Sequence, residues 1–105
     1  MEADYVGNLE QVNGDVKERD NIYVVELELT EFDKDDIRVY FNDGYLVITA
    51  QNKLFLEKQI RRAFYIGREI AQEHIRVAFN NGSLKCMIPK GERKEGQGSI
   101  EIEII

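Results

Sequence analysis

The stretch that decides the fold is "IRVYFNDGYLVITA", which runs from Ile37 to Ala50. Apolar side chains alternate along the chain on both sides of the central pair Asp43-Gly44. Alternation places successive side chains on opposite faces of a strand, and Asp-Gly supplies the positive φ angles that a tight hairpin requires. The stretch therefore predicts two antiparallel strands. Their predicted inward residues are Ile37, Val39, Phe41, Leu46, Ile48 and Ala50.

A second hairpin pattern occurs in "IRVAFNNGSLKCMI", with Asn81-Gly82 at its centre. Pro89 follows and ends the second strand, because proline has no N–H to donate to a ladder. The predicted inward residues are Ile75, Val77, Phe79, Leu84, Cys86 and Ile88. An alternating run, "IYVVELEL" from Ile22 to Leu29, predicts a further strand, and "DVKER" is a candidate edge strand.

The remaining segments are less regular. "NKLFLEKQIRRAFYI" has the length of a helix, but Ile60, Phe64 and Ile66 alternate as in a strand. "EFDKDDI" and "REIAQEH" are short enough to be loops or single 3₁₀ turns. Regular short strands separated by turn signals predict an all-β, immunoglobulin-like sandwich of about seven strands.

Length and charge limit the function. The 105 residues suffice for one domain, which we expect at 15–90 between a polar arm at 1–14 and an extension at 91–105. The net charge of -6 argues against nucleic acid or an anionic membrane as partner. The start lacks the apolar core of a signal peptide, and there is one cysteine. We therefore expect a cytoplasmic protein.

A specific motif spans the second hairpin turn. "AFNNGSLKCMIPK" resembles the A-x-x-x-G-V-L signature of the α-crystallin domain of small heat shock proteins. Ala78, Gly82 and Leu84 match the signature, and Ser83 stands where valine is usual.

Two other stretches are similar to the same family. "DVKERDNIYVVELELTEFDKDDIRV" resembles the opening of the domain, with matches at Leu29, Asp36 and Ile37 but without the family's Pro-Gly turn. "RRAFYIG" is similar to its arginine-bearing strand, with Arg62 at the arginine position.

The resemblance implies a sandwich of the α-crystallin type and an ATP-independent holdase chaperone that keeps unfolding proteins from aggregating. It implies no cofactor, and as partners it implies client proteins and further copies of the chain, in a dimer or a higher homo-oligomer. The alternative is a non-chaperone interaction module on the same fold, such as a CS-domain-like co-chaperone or a coat component.

The chain ends in a glycine-rich charged tether, "KGERKEGQGS", and an alternating tip, "IEIEII". The tip resembles the family's Ile-x-Ile motif, which docks into a groove on a neighbouring subunit. The groove lies between the strands that correspond to "IRVYF" and "IRVAF". The resemblance thus implies a plug of Ile100, Ile102 and Ile104 and a groove lined by Val39, Phe41, Ile75 and Val77. The alternative is that the tip adds a strand to its own sandwich.

The dimer edge is also suggested by the resemblance. Bacterial and plant relatives swap a strand from a long loop, but here the connection is the eight residues "NKLFLEKQ". We therefore expect a dimer to pair the edge from Phe55 to Tyr65, as in animal relatives. Leu54 and Leu56 make this loop unusually apolar. Arg62 is predicted to form a salt bridge at this interface or within the sheet, or else to extend along the surface to solvent.

No group of residues indicates catalysis. His74 is the only histidine and has no cysteine cluster beside it that would form a metal site. Cys86 shares the apolar face of its strand and is expected in the core. Asp33, Asp35 and Asp36 lack the spacing of a calcium loop and predict a solvated turn. We therefore expect no catalytic residue, no metal and no enzymatic activity.

Overall fold

The computed structural model describes residues 14–92 and 98–105, which form two four-stranded antiparallel sheets. The first sheet has the strand order β1-β2-β7-β6 and the second β5-β4-β3-β8. The strands are β1 (Gly14–Glu18), β2 (Ile22–Glu28), β3 (Ile37–Asn42), β4 (Tyr45–Gln51), β5 (Gln59–Tyr65), β6 (Arg76–Asn80), β7 (Ser83–Pro89) and β8 (Ile100–Ile102). Two 3₁₀ turns cover Lys34–Asp36 and Gln72–His74.

The predicted all-β sandwich is confirmed, with eight strands in the described chain instead of about seven because the tip forms β8. The arm predicted at 1–14 lies outside the described residues except for Gly14, as does the part of the tether at 93–97. No helix in the described ranges has the length and apolar character needed to cross a membrane.

The core lies between the two sheets and is built from the alternating residues of the hairpins. All of the predicted inward residues are buried except Phe79, which is half-buried. Cys86 has no exposed surface, and burial raises the pKa of its thiol to about 12. The thiol therefore stays protonated at neutral pH and behaves as a small apolar side chain.

The segment whose pattern favoured helix and strand equally is a loop followed by β5. Ile60 pairs with Ala50, and Phe64 pairs with Leu46, in antiparallel register with β4. Because Ile60 and Phe64 face the core from an edge strand, the period of two prevails over the length that favoured a helix.

Both hairpin turns have the predicted backbone geometry. The φ angles are 52° at Asp43 and 89° at Gly44, and 51° at Asn81 and 79° at Gly82. Two consecutive positive φ values are typical of type I′ turns, whose twist matches that of the strands. Gly82 is also held close to Thr30, since a Cβ atom there would lie 2.8 Å from Thr30 Cγ2.

We expect Gly82→Ala to lower the free energy of unfolding by about 1–3 kcal/mol, through its positive φ and the overlap with Thr30. Urea denaturation measures the change. Gly98→Ala is the matched control, because a Cβ at Gly98 has no atom within 4 Å. Equal stability of the two variants would contradict the prediction.

Candidate functional site

The candidate site is the groove, the space between β3 of the second sheet and β6 of the first, together with the tip, residues 100–105. The tip crosses from one sheet to the other. Its strand β8 runs antiparallel to β3, and Ile104 then forms a parallel bridge with Val77 of β6. The N–H of Ile105 donates to the carbonyl oxygen of Val77 at 2.8 Å. The tip therefore joins the free edges of both sheets.

The pairing brings most of the predicted groove residues to the tip. Val39 is opposite Ile102, and Phe41 is opposite Ile100. Ile75, by contrast, lies just before β6; it is buried, but it has no register partner in the tip. Residues that pair with the tip therefore lie on both sides of the groove, with Val39 and Phe41 on β3 and Val77 on β6.

The three predicted plug residues are not equivalent. Ile102 and Ile104 are only 8% and 9% exposed, whereas Ile100 is half-buried at the rim and Ile105 is 71% exposed. Burying each of the two inner isoleucines contributes roughly 1.5–3 kcal/mol. Ordering the chain costs about 1–2 kcal/mol per residue. Over the six residues of the tip this cost offsets the whole gain from burying two isoleucines, so docking also depends on the backbone hydrogen bonds with β3 and Val77 and is reversible.

The tip lies in the groove of its own chain. This is the second of the two arrangements that the sequence left open. Bridging to a neighbouring subunit stays a prediction.

A polar contact fixes the residue two positions before the tip. The side-chain Nε2 of Gln72 donates to the carbonyl oxygen of Gly98 at 3.1 Å. Gln72 is itself buried, at 8% exposure. Sequence reasoning missed it, because Gln72 lies in a short 3₁₀ turn and no strand periodicity there marks a side chain as buried.

On the outer face of the pairing, Arg38 and Glu101 form an ion pair of 3.6 Å between Nε and Oε2. Both side chains are more than half exposed. An exposed pair of this kind contributes little to stability. The tip is therefore held by its backbone pairing and its apolar side chains.

The predicted interface residues lie at the opposite edge of the second sheet. Phe55 and Tyr65 are each 54% exposed, and Leu54 and Leu56 are more exposed still. The Tyr65 ring packs edge-on against Tyr45, with ring centroids 5.0 Å apart. In the described chain no further strand pairs with the outer side of β5. This edge therefore combines exposed apolar surface with an open strand.

Arg62 lies on the inward-facing side of β5, in register with Ile48, and is half-buried. Its guanidinium carbon is 4.9 Å from the centre of the Phe64 ring. This distance is that of a cation–π contact. The contact places the charge over an aromatic face at the border of the core.

The acidic residues and the histidine that the sequence did not favour as metal ligands make local contacts in the structure. Asp36 Oδ2 accepts a hydrogen bond from the N–H of Asp33 at 2.9 Å, which orders the predicted acidic turn. His74 is exposed, and its Nε2 is 3.9 Å from Glu73 Oε2. Across residues 14–92 and 98–105, no group of three histidine, cysteine or acidic side chains is arranged to hold a metal.

Comparison with known proteins identifies relatives over the whole sandwich. The Hsp20/alpha crystallin family matches residues 15–105. The chain is 36% identical over 93 residues to a probable Hsp20 family chaperone of Onion yellows phytoplasma, covering 76% of this chain and 68% of that protein. It is 31% identical to heat shock protein HSP.16.4 of Streptococcus thermophilus, covering 88% of this chain and 75% of the relative.

Solved structures with the same fold include heat shock protein 16.0 from Schizosaccharomyces pombe. The TM-score is 0.66 at 24% identity, and the match covers 87% of this chain and 96% of that chain. A small heat-shock protein from Xylella fastidiosa matches with a TM-score of 0.69 at 22% identity, covering 86% and 94%. These likenesses show that the sandwich is shared.

We expect Ile102→Ser and Ile104→Ser each to release the tip and raise the binding of an apolar fluorescent dye. Each change removes burial of roughly 1.5–3 kcal/mol from a marginal contact and exposes the groove floor. Dye fluorescence at constant protein concentration measures the effect. Ile105→Ser is the matched control because Ile105 is already exposed. A rise of the same size in the control would show that the groove is not the source.

Proposed function

The chain belongs to the Hsp20/alpha crystallin family and is a chaperone of the small heat shock type, and we propose that it is an ATP-independent holdase whose client site is the groove. The observation that carries this proposal is the occupied groove itself. An extended peptide with alternating isoleucines pairs there with a strand edge and buries two side chains.

The groove recognises a general property of unfolded chains. Backbone pairing with β3 is available to any extended segment, and the floor around Val39 and Val77 accepts apolar side chains at alternate positions. Unfolding proteins expose such segments, whereas folded proteins bury them. The groove therefore selects for the unfolded state without reading a particular sequence.

The tip acts as a competitor for clients. While it is docked, the groove is closed, and whatever shifts it to the undocked state opens the site. Heating populates the undocked state because ordering entropy opposes docking more strongly at higher temperature. Binding of the client to the open state then displaces the equilibrium by mass action. No nucleotide is needed, and we propose no catalytic step.

We propose self-association through two surfaces. The groove of one copy can accept the tip of another, because exchange of an identical element makes the same contacts. The open edge of β5 supplies the second surface, with Phe55 and Tyr65 as apolar contacts and Arg62 at the border of the core. Burying the exposed loop that contains Phe55 supplies a driving force for this contact.

We further propose that the protein acts in the cytoplasm and does not bind nucleic acid or membranes. Its one cysteine is a buried free thiol, which suits a reducing compartment. Its net charge of -6 repels phosphate groups.

The holdase proposal is tested by locking the tip. Tyr40 and Glu101 are direct partners between β3 and β8, so Tyr40→Cys with Glu101→Cys can form a disulfide that keeps the groove closed. We expect the unmodified protein to suppress light scattering from a heated test enzyme, the oxidised variant to lose suppression, and reduction to restore it.

The matched control is Glu26→Cys with Lys85→Cys, which links direct partners of β2 and β7 within the first sheet. We expect its oxidation to leave suppression unchanged. Failure of the unmodified protein to suppress scattering would refute the holdase activity. Full suppression by the locked variant would refute the groove as the client site.

We expect Phe55→Asp to reduce the solution mass of the protein, because a buried carboxylate without a partner opposes pairing at the β5 edge. Light scattering after size-exclusion chromatography measures the mass. Val16→Asp is the control, since Val16 is a comparably exposed apolar residue on the edge strand β1 of the other sheet. If only the control lowered the mass, the dimer edge would lie on β1 instead.

A further inference from the structure

We propose that Gln72 is a positioning residue that clamps the base of the tip onto its own chain, and so sets how readily the groove opens. The consequence for client access rests on the proposed function. The clamp itself does not, because it concerns only where the tip is held.

The first observation is the environment of the Gln72 side chain. Of the side chains that the structure describes, Gln72 is the single buried polar one. Burying an amide is unfavourable unless its donors and acceptors are paired. Its Nε2 is paired with the carbonyl oxygen of Gly98, which is 26 positions away in the sequence and two residues before the tip. The Gln72 amide therefore specifies where the tip begins.

The second observation is that neighbours of Gln72 hold the chain at the start of the tether. The N–H of Gly91 donates to the carbonyl oxygen of Glu69 at 3.1 Å, and the N–H of Ala71 donates to that of Pro89 at 3.0 Å. Gly91 packs against Ala71 so closely that a Cβ there would lie 3.0 Å from Ala71 Cβ. Residues 69–72 thus contact the chain near both ends of the tether.

Anchoring both ends on one short segment favours the tip's own groove over that of another copy. Only the six residues 92–97 separate Gly91 from Gly98 in the sequence. A short covalent connection gives the tip an effective concentration in the millimolar range at a site within reach. The Gln72 contact holds any tip that occupies the groove, because an exchanged tip makes the same contacts. The short connection therefore favours the tip's own groove, and Gln72 makes the docked tip open less often.

The clamp and the apolar plug have separable roles. Ile102 and Ile104 supply burial wherever the tip docks, whereas Gln72 contributes only at the base. Loss of the clamp is expected to leave the sandwich folded, because Gln72 lies outside the strands of both sheets. The docked tip then opens more often, and the groove is free for a larger fraction of the time.

The test is amide hydrogen exchange on the full chain with Gln72→Met, which keeps the length of the side chain but removes the donor. We expect exchange at Ile105, whose N–H is bonded to Val77, to accelerate about three- to tenfold, the factor set by one hydrogen bond. Amides of β2 in the first sheet should be unchanged, which separates local opening from global unfolding.

Gly98→Ala is the matched control, since it keeps the accepting carbonyl and places its methyl group in open space. If Gln72→Met fails to fold, Gln72→Asn replaces it, because its shorter amide cannot span the distance to Gly98. Unchanged exchange at Ile105 in a folded Gln72 variant would overturn the clamp, as would an equal acceleration in Gly98→Ala.

Client protection by the same variants distinguishes the clamp from the proposed function. Faster exchange at Ile105 with stronger suppression of client aggregation supports both. Faster exchange with unchanged suppression supports the clamp and counts against the groove as the client site.

Discussion

The structure depends on one constraint, which is that two sheets end on the same side of the sandwich with unpaired edges. Without the tip, β3 would be the edge of the second sheet and β6 the edge of the first. Open edges of this kind attract other strands. A single short peptide, paired with β3 and bridged to Val77 of β6, satisfies both edges. Any other segment that occupies the groove must pair with the same two edges. The extended backbone and alternating isoleucines of the tip therefore show what a competing segment requires.

The contact is suited to reversibility because its parts are individually weak. Two isoleucines are buried, one strand of three residues is paired, and the ion pair on the outer face is exposed. None of these contributions exceeds a few kcal/mol. The core below, by contrast, is closed by two hairpins whose turns are fixed by positive φ values. Opening of the groove is therefore a local event that the sandwich survives.

The sequence predicts those parts of the fold that depend on local chemistry. Asp43-Gly44 and Asn81-Gly82 define both hairpins, and alternation then assigns the buried face of each strand. The strand at 59–65 was less certain, because a short amphipathic run does not distinguish the two periods until its partner in the sheet is known. The resemblance to a family added the position of the groove.

The remaining features are non-local and leave little trace in a single sequence. The contact between Gln72 and Gly98 joins residues that no periodicity relates. The choice between the tip's own groove and another copy's depends on tether length and anchoring points, which are properties of the folded chain. The ring contact of Arg62 likewise requires knowing that Phe64 is its neighbour on the same face at an edge. In each case the sequence allows several chemically equivalent contacts, and the packing of the folded chain determines which one forms.

The arrangement of the second sheet also separates the two surfaces proposed for association. Its order places β5 at one edge and β8 at the other, with β4 and β3 between them. A partner that pairs with β5 therefore does not occupy the groove, and release of the tip does not disturb the exposed loop around Phe55. Self-association through β5 and client capture in the groove can consequently proceed together. In the proposed mechanism, the tip competes with clients whether it comes from the same chain or from another copy, and the clamp at Gln72 acts on that competition.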